Sequence, residues 1–249
     1  MYSSVTLREI FIVLFVQVFI LSYIRWDETR SKKDLLFSLL AAAVHLVLHN
    51  PMFLVLMSAY FYPIYHYLKK NIITLQKGSV NFIFLLIVSA GIAVIFFGVN
   101  IHEVYIPYFG ELDKFGFDRI VSYAQNTNYG NALYPSFVVP NSPQDLILLL
   151  PIRVFYFLFS PFFWDITSVA HILGVFDSLL YMYLSYLLFS RRHYFRNNKK
   201  LKMIIFIFIV GIVIYSFGVG NFANAMRHRV KFLILLVIIV APFIFSKKR

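Results

Sequence analysis

Long apolar blocks separated by short clusters of lysine and arginine run through the chain, and no other feature restricts its fold as strongly. The blocks fall at roughly 8–24, 35–49, 52–68, 80–99, 168–189, 203–218 and 232–246. Most are long enough, at about 1.5 Å of helical rise per residue, to cross or nearly cross about 30 Å of hydrocarbon. Soluble domains are about 45–50% apolar and about 25% charged. Here 60% of residues are hydrophobic, 14% are charged, and the mean hydropathy is +0.76. The expected fold class is therefore all-α: a polytopic helical membrane protein with about seven transmembrane helices plus a re-entrant or interfacial segment, residues 1–249 forming a single membrane domain. The block at 35–49 is among the shortest, rising only about 22 Å as helix, and it alternatively forms a surface or re-entrant helix ending at the His49-Asn50-Pro51 break.

The basic clusters set the expected orientation. If Lys247, Lys248 and Arg249 are cytoplasmic, alternation puts Arg191 to Lys202, Lys69 to Lys77 and Arg25 to Lys33 on the same side. That collects sixteen of the 23 lysines and arginines inside, as the positive-inside rule requires. Reading 35–68 as one kinked span would move Arg25 to Lys33 outside, so a hairpin is expected there, with the N-terminus outside. The stretch after Met1 lacks a basic n-region and a small-residue cleavage site, so the first helix is expected to stay. The location implied is a membrane, crossed several times.

Residues 100–167 read as a long extracytoplasmic loop. Gly, Pro and Asn recur in it, as in Asn126 to Asn131 and Pro140 to Pro143, and its aromatics Tyr105, Tyr108, Phe109, Tyr123, Tyr129 and Tyr134 favour an ordered loop. Around 145–165 it turns apolar but carries Pro151, Arg153 and Pro161 and ends in Trp164-Asp165. A full crossing there would place Arg191 to Lys202 outside, so a re-entrant or interfacial segment is expected.

The net charge of +12 sits almost wholly between apolar blocks, where it serves topology and contacts with membrane lipids rather than nucleic acid. The absence of cysteine excludes disulfides, thiolate metal sites and a cysteine nucleophile. His45 and His49 have the spacing of two ligands on one helix face, but no third ligand is signposted, so no metal and no cofactor are expected. The segment Gly220 to Arg229, placed between the last two spans on the outer side, offers Arg227, His228 and Arg229. Guanidinium forks suit phosphate oxygens and an imidazole exchanges protons near neutrality, so the trio can clamp a diphosphate and assist its departure. The plainer alternative is arginines snorkelling to headgroups. Arg153 within apolar sequence is a second candidate, its alternative being a salt bridge to Asp145 or Asp165. Asp177 inside the 168–189 block reads as a packing anchor, with Arg153 as its expected partner. His102, Glu103, Glu111, Asp113 and Asp118 are loop groups open to general-base work or to plain solvation.

Leu150-Pro151-Ile152-Arg153 through Phe159-Ser160-Pro161 to Asp165, together with Gly220-Asn221 through Arg227-His228-Arg229, resemble the C-terminal halves of bacterial O-antigen and exopolysaccharide repeat-unit polymerases. The likeness covers roughly residues 100–246. It implies polymerase-like glycosyl transfer of undecaprenyl-diphosphate-linked oligosaccharide, a polyprenyl-diphosphate-linked glycan as partner, other polysaccharide-assembly proteins nearby, and Arg153, Arg227, His228 and Arg229 as the catalytic set. The chain is short for that family, and its start on the outer side is what a copy lacking N-terminal spans would show. Alternatives of other classes are a transporter or flippase of lipid-linked oligosaccharide and a non-catalytic membrane subunit. A glycosyltransferase using a polyprenyl-monophosphate sugar would want an acidic base early in the first outer loop.

Overall fold

Helix α1 (Tyr2–Thr29) turns Ile12, Val16, Phe19 and Tyr23 inward at helical spacing, and all four are fully buried. A computed structural model describes residues 2–62, 105–106, 110–111, 117–126, 132–195 and 198–245, and these are mostly helical. Helix α2 (Lys32–Leu48) starts on a Ser31 side-chain cap and lays buried Ala41 and Ala42 along α1, where small side chains let two backbones approach closely. His49 is extended (φ −168°), ends α2 and precedes α3 (Asn50–Ser58), whose Pro51 sits in the first turn, where its missing N–H costs nothing.

The chain reverses at His49. Ile12 O of α1 lies 3.2 Å from His45 Nε2, whereas Tyr23, three turns further along α1, donates to Ala59 O (2.7 Å), and Ser38 of α2 bonds Tyr60 (2.6 Å). The 35–68 region is thus a hairpin as far as Tyr62, where description stops. The block 80–99 and the Lys69 to Lys77 cluster lie outside the described residues.

Of the long loop, strands Tyr105–Ile106 and Gly110–Glu111 pair antiparallel, and α4 (Phe117–Asn126) follows. His102, Glu103 and Asp113 lie outside the described residues. Helix α5 (Pro143–Leu148) begins with a capping box, Ser142 Oγ accepting from Asp145 N while Asp145 accepts from the Asn141 and Ser142 amides. The Asn141 N–H, with the Ser142 hydroxyl and N–H, holds the Asp145 carboxyl below the usual range. Helix α6 (Leu150–Phe159) has ten residues, about 15 Å of rise, half a bilayer core. It is followed by a short 3₁₀ turn at Phe163–Asp165, where Asp165 accepts from the Phe162 N–H (2.8 Å).

Helices α7 (Val169–Ser190), α8 (Arg192–Phe195), α9 (Lys199–Gly218) and α10 (Phe222–Phe245) complete the bundle. Among the described residues, three helical stretches are long and apolar enough to cross a membrane: Leu7–Thr29, His171–Ser190 and Lys199–Gly218. Helix α10 starts ten residues before the apolar block at 232–246, so the expected interhelical segment holding Arg227 is helix. Asn221 causes this: its side chain accepts from Asn224 N (2.8 Å) and its carbonyl from Ala225 N (3.1 Å), an N-cap. Gly211 of α9 faces buried Phe232 of α10 closely enough that an added Cβ would lie 2.2 Å from the ring.

Candidate functional site

Ionic groups gather at both ends of the bundle. At one end Lys199 pairs with Asp27 (2.6 Å) and Lys200 with Glu28 (2.6 Å), tying the start of α9 to the end of α1. The opposite end holds the start of α1, the α2/α3 break, the end of α9 and the start of α10, and there the sequence candidates separate into three environments.

Arg153 of α6 is fully buried. Its Nε donates to Ser216 O (3.0 Å), Nη1 to Val138 O (2.7 Å), and Nη2 to Phe217 O (3.1 Å) and Val219 O (2.9 Å). Four donor contacts thus go to backbone carbonyls, three of them at the end of α9, where unpaired carbonyls and the helix dipole favour a cation. Neither Asp145 nor Asp165 pairs with it, because both cap their own turns.

Arg229 of α10 is also fully buried. Nε donates to Asp177 Oδ2 (2.8 Å), Nη1 to Leu158 O (2.9 Å) and Ser160 O (2.6 Å), and Nη2 to Asp177 and to Ser178 Oγ (3.1 Å). Asp177 therefore pairs with Arg229 rather than Arg153. All five guanidinium N–H groups have an acceptor. Tyr181 places its ring 4.9 Å from this guanidinium and donates its hydroxyl to Arg229 O (2.7 Å).

Arg227 and His228 belong to a third group. Lys231 Nζ, fully buried, lies 3.0 Å from Glu9 Oε2 and 2.9 Å from His228 Nδ1. An ammonium only donates, so His228 Nδ1 accepts and Nε2 carries the imidazole proton. Arg227 Nε lies 3.7 Å from Glu9 Oε1, and Arg8 Nη2 lies 3.8 Å from the same oxygen. The Arg227 and Arg8 side chains are 44% and 42% exposed, so they alone of these groups reach outward freely. His49 stacks on Tyr215 and bonds its hydroxyl (3.2 Å), and its ring meets His228 edge to face at 5.3 Å. His45 instead has both ring nitrogens beside backbone carbonyls, Ala41 O and Ile12 O. Among the described residues no three side chains converge to hold a metal ion.

Sequence reasoning named Arg227 and His228 but passed over Arg8, Glu9, Tyr215 and Lys231 as site residues. The signal for Glu9 was present: an ionisable residue in an apolar block is a functional candidate by default. Helical stretches able to cross a membrane, with charge gathered at the helix ends, define the class: a helical membrane protein. No protein-family model, curated protein or solved structure matches the chain.

Proposed function

We propose that the chain is a multi-pass protein of the bacterial cytoplasmic membrane that acts in surface-polysaccharide assembly as a polymerase-like glycosyltransferase, taking undecaprenyl-diphosphate-linked oligosaccharide at the Arg227 end of the bundle. The observation that carries this reading is the unequal charge there. Among the described residues, Arg8, Arg227 and Lys231 surround one carboxylate, Glu9, which leaves an excess of two positive charges beside the positive end of the α10 dipole. The resemblance of residues 150–165 and 220–229 to repeat-unit polymerases supports the same chemistry.

In this reading an acceptor sugar hydroxyl forms a bond to the anomeric carbon while the bond from that carbon to the diphosphate oxygen breaks. The diphosphate leaves with the electron pair and takes up the hydroxyl proton. Arg227 offsets the charge that develops on it, and the neutral His228 ring donates a hydrogen bond from Nε2 to a departing oxygen while keeping its proton. Arg153 and Arg229, with their donors engaged, act as positioning residues: one fixes the end of α9, the other fixes α10 against α7 and the end of α6. The test is polymer chain length in a host lacking the gene. Arg227→Ala and His228→Ala are expected to shorten the polymer at unchanged protein level, and full-length polymer from both would end this reading.

One observation favours a carrier of the same lipid instead: the buried chain Glu9, Lys231, His228 is of the kind membrane transporters use to couple ions to transport. Purified protein in vesicles separates the two, since a carrier moves lipid-linked sugar between leaflets without joining it.

A further inference from the structure

Two carboxylates pair with buried cations at this end of the bundle, and their sites are built differently. Asp177 receives aligned hydrogen bonds from Arg229, whose remaining donors are fixed by Leu158, Ser160 and Ser178. Glu9 is buried at both oxygens, lies among three cations at 3.0, 3.7 and 3.8 Å, and receives no aligned hydrogen bond from a described residue. Asp177 is locked to its partner. Glu9 is held chiefly by the charge of buried Lys231 and of two cations that remain nearly half exposed.

We infer that Glu9 is a specificity-determining residue of the anion site proposed above: an internal counter-ion that keeps monoanionic phosphodiester headgroups out of the Arg8, Arg227 and Lys231 cluster while admitting dianionic diphosphate esters. This rests on the proposed lipid-diphosphate reading. The physical reason is a charge count. With Glu9 in place and the His228 ring neutral, the cluster has an excess of two positive charges, the number that a sugar diphosphate ester of a polyprenol carries in negative charge. A phosphodiester lipid, present in vast excess around the protein, brings one negative charge and meets repulsion from Glu9 at the same cations, so its net gain is small. The buried ammonium of Lys231 gives Glu9 a second role: without the carboxylate, Lys231 is left with His228 as its neutral partner.

The experiment uses full-length protein in a zwitterionic detergent. Binding of inorganic pyrophosphate and of farnesyl diphosphate is measured by calorimetry, and dihexanoyl phosphatidylglycerol serves as the phosphodiester competitor. Glu9→Gln is expected to tighten both diphosphates by about tenfold or more. Phosphatidylglycerol is expected to displace farnesyl diphosphate from Glu9→Gln but not from the unsubstituted protein. Adding Arg227→Ala to Glu9→Gln should cancel the gain. If Glu9→Gln does not stay folded, the same comparison is made between Lys231→Met and Lys231→Met with Glu9→Gln, in which no buried ammonium is orphaned. Diphosphate binding that needs Arg227 but is unaffected or weakened by loss of the Glu9 charge would overturn this inference and leave the proposed function standing. Equal competition by phosphatidylglycerol in both proteins would overturn it likewise. No binding of either diphosphate to the unsubstituted protein would overturn both.

Discussion

Arg229 joins three elements through one guanidinium: Asp177 and Ser178 of α7, the carbonyls at the end of α6, and its own helix. Such a pair contributes little against an apolar replacement but is costly to break from one side, because the remaining charge stays buried. Asp177→Ala is therefore expected to cost about 3–5 kcal/mol of stability, read as a drop in detergent melting temperature. Asp177→Ala combined with Arg229→Met should recover a large part, and a double variant as unstable as the single would argue against the pairing. Arg153 makes a related prediction with no carboxylate involved. Lysine lacks the fork that reaches Ser216, Phe217 and Val219 together, so Arg153→Lys should cost about 2 kcal/mol or more. That loss appears as faster amide exchange at the end of α9, while a silent Arg153→Lys would remove the capping role.

Packing of α9 on α10 depends on a missing side chain. Gly211 leaves room for Phe232, and Gly211→Ala is expected to cost about 1–3 kcal/mol by overpacking, with Phe232→Leu in the same chain restoring part of it. The Asp145 cap of α5 gives an element-level pH dependence. Its folded carboxyl titrates below the ordinary range, so its stabilisation is complete above that range and is lost as pH falls through the depressed value. The protection of the Asn141 and Ser142 amides, taken relative to their intrinsic exchange rate at each pH, should fall on acidification, and Asp145→Ala should abolish that dependence. Apolar periodicity and the Asn50-Pro51 break made α1 and the α2/α3 reversal legible from sequence. The start of α10 was not legible by hydropathy, because three cations in ten residues read as a polar connector. Their partners, Glu9 and Asp177, lie some 220 and 50 residues away, and no local pattern reports such distant neutralisation. What was available locally was Asn221 as a cap before a stretch free of Gly and Pro.

At the scale of the molecule, charge is sorted by end: Lys199 and Lys200 meet Asp27 and Glu28 at one, while Arg8, Arg227 and Lys231 surround Glu9 at the other. Sequence alone singles out Arg153, Arg227, His228 and Arg229 as one set, since basic residues in or beside an apolar block stand out. Only the fold separates cations that have spent their donors on the protein from those that still face outward. In the proposed function the Glu9 end is extracytoplasmic and takes a lipid diphosphate, and the lack of cysteine makes a single introduced thiol an unambiguous reporter. Ala223, exposed in the first turn of α10, is the place for it. Ala223→Cys in intact cells is expected to react with a membrane-impermeant maleimide, and added farnesyl diphosphate is expected to slow that reaction. Labelling that appears only after the membrane is permeabilised, or at a rate indifferent to the diphosphate, would contradict the account.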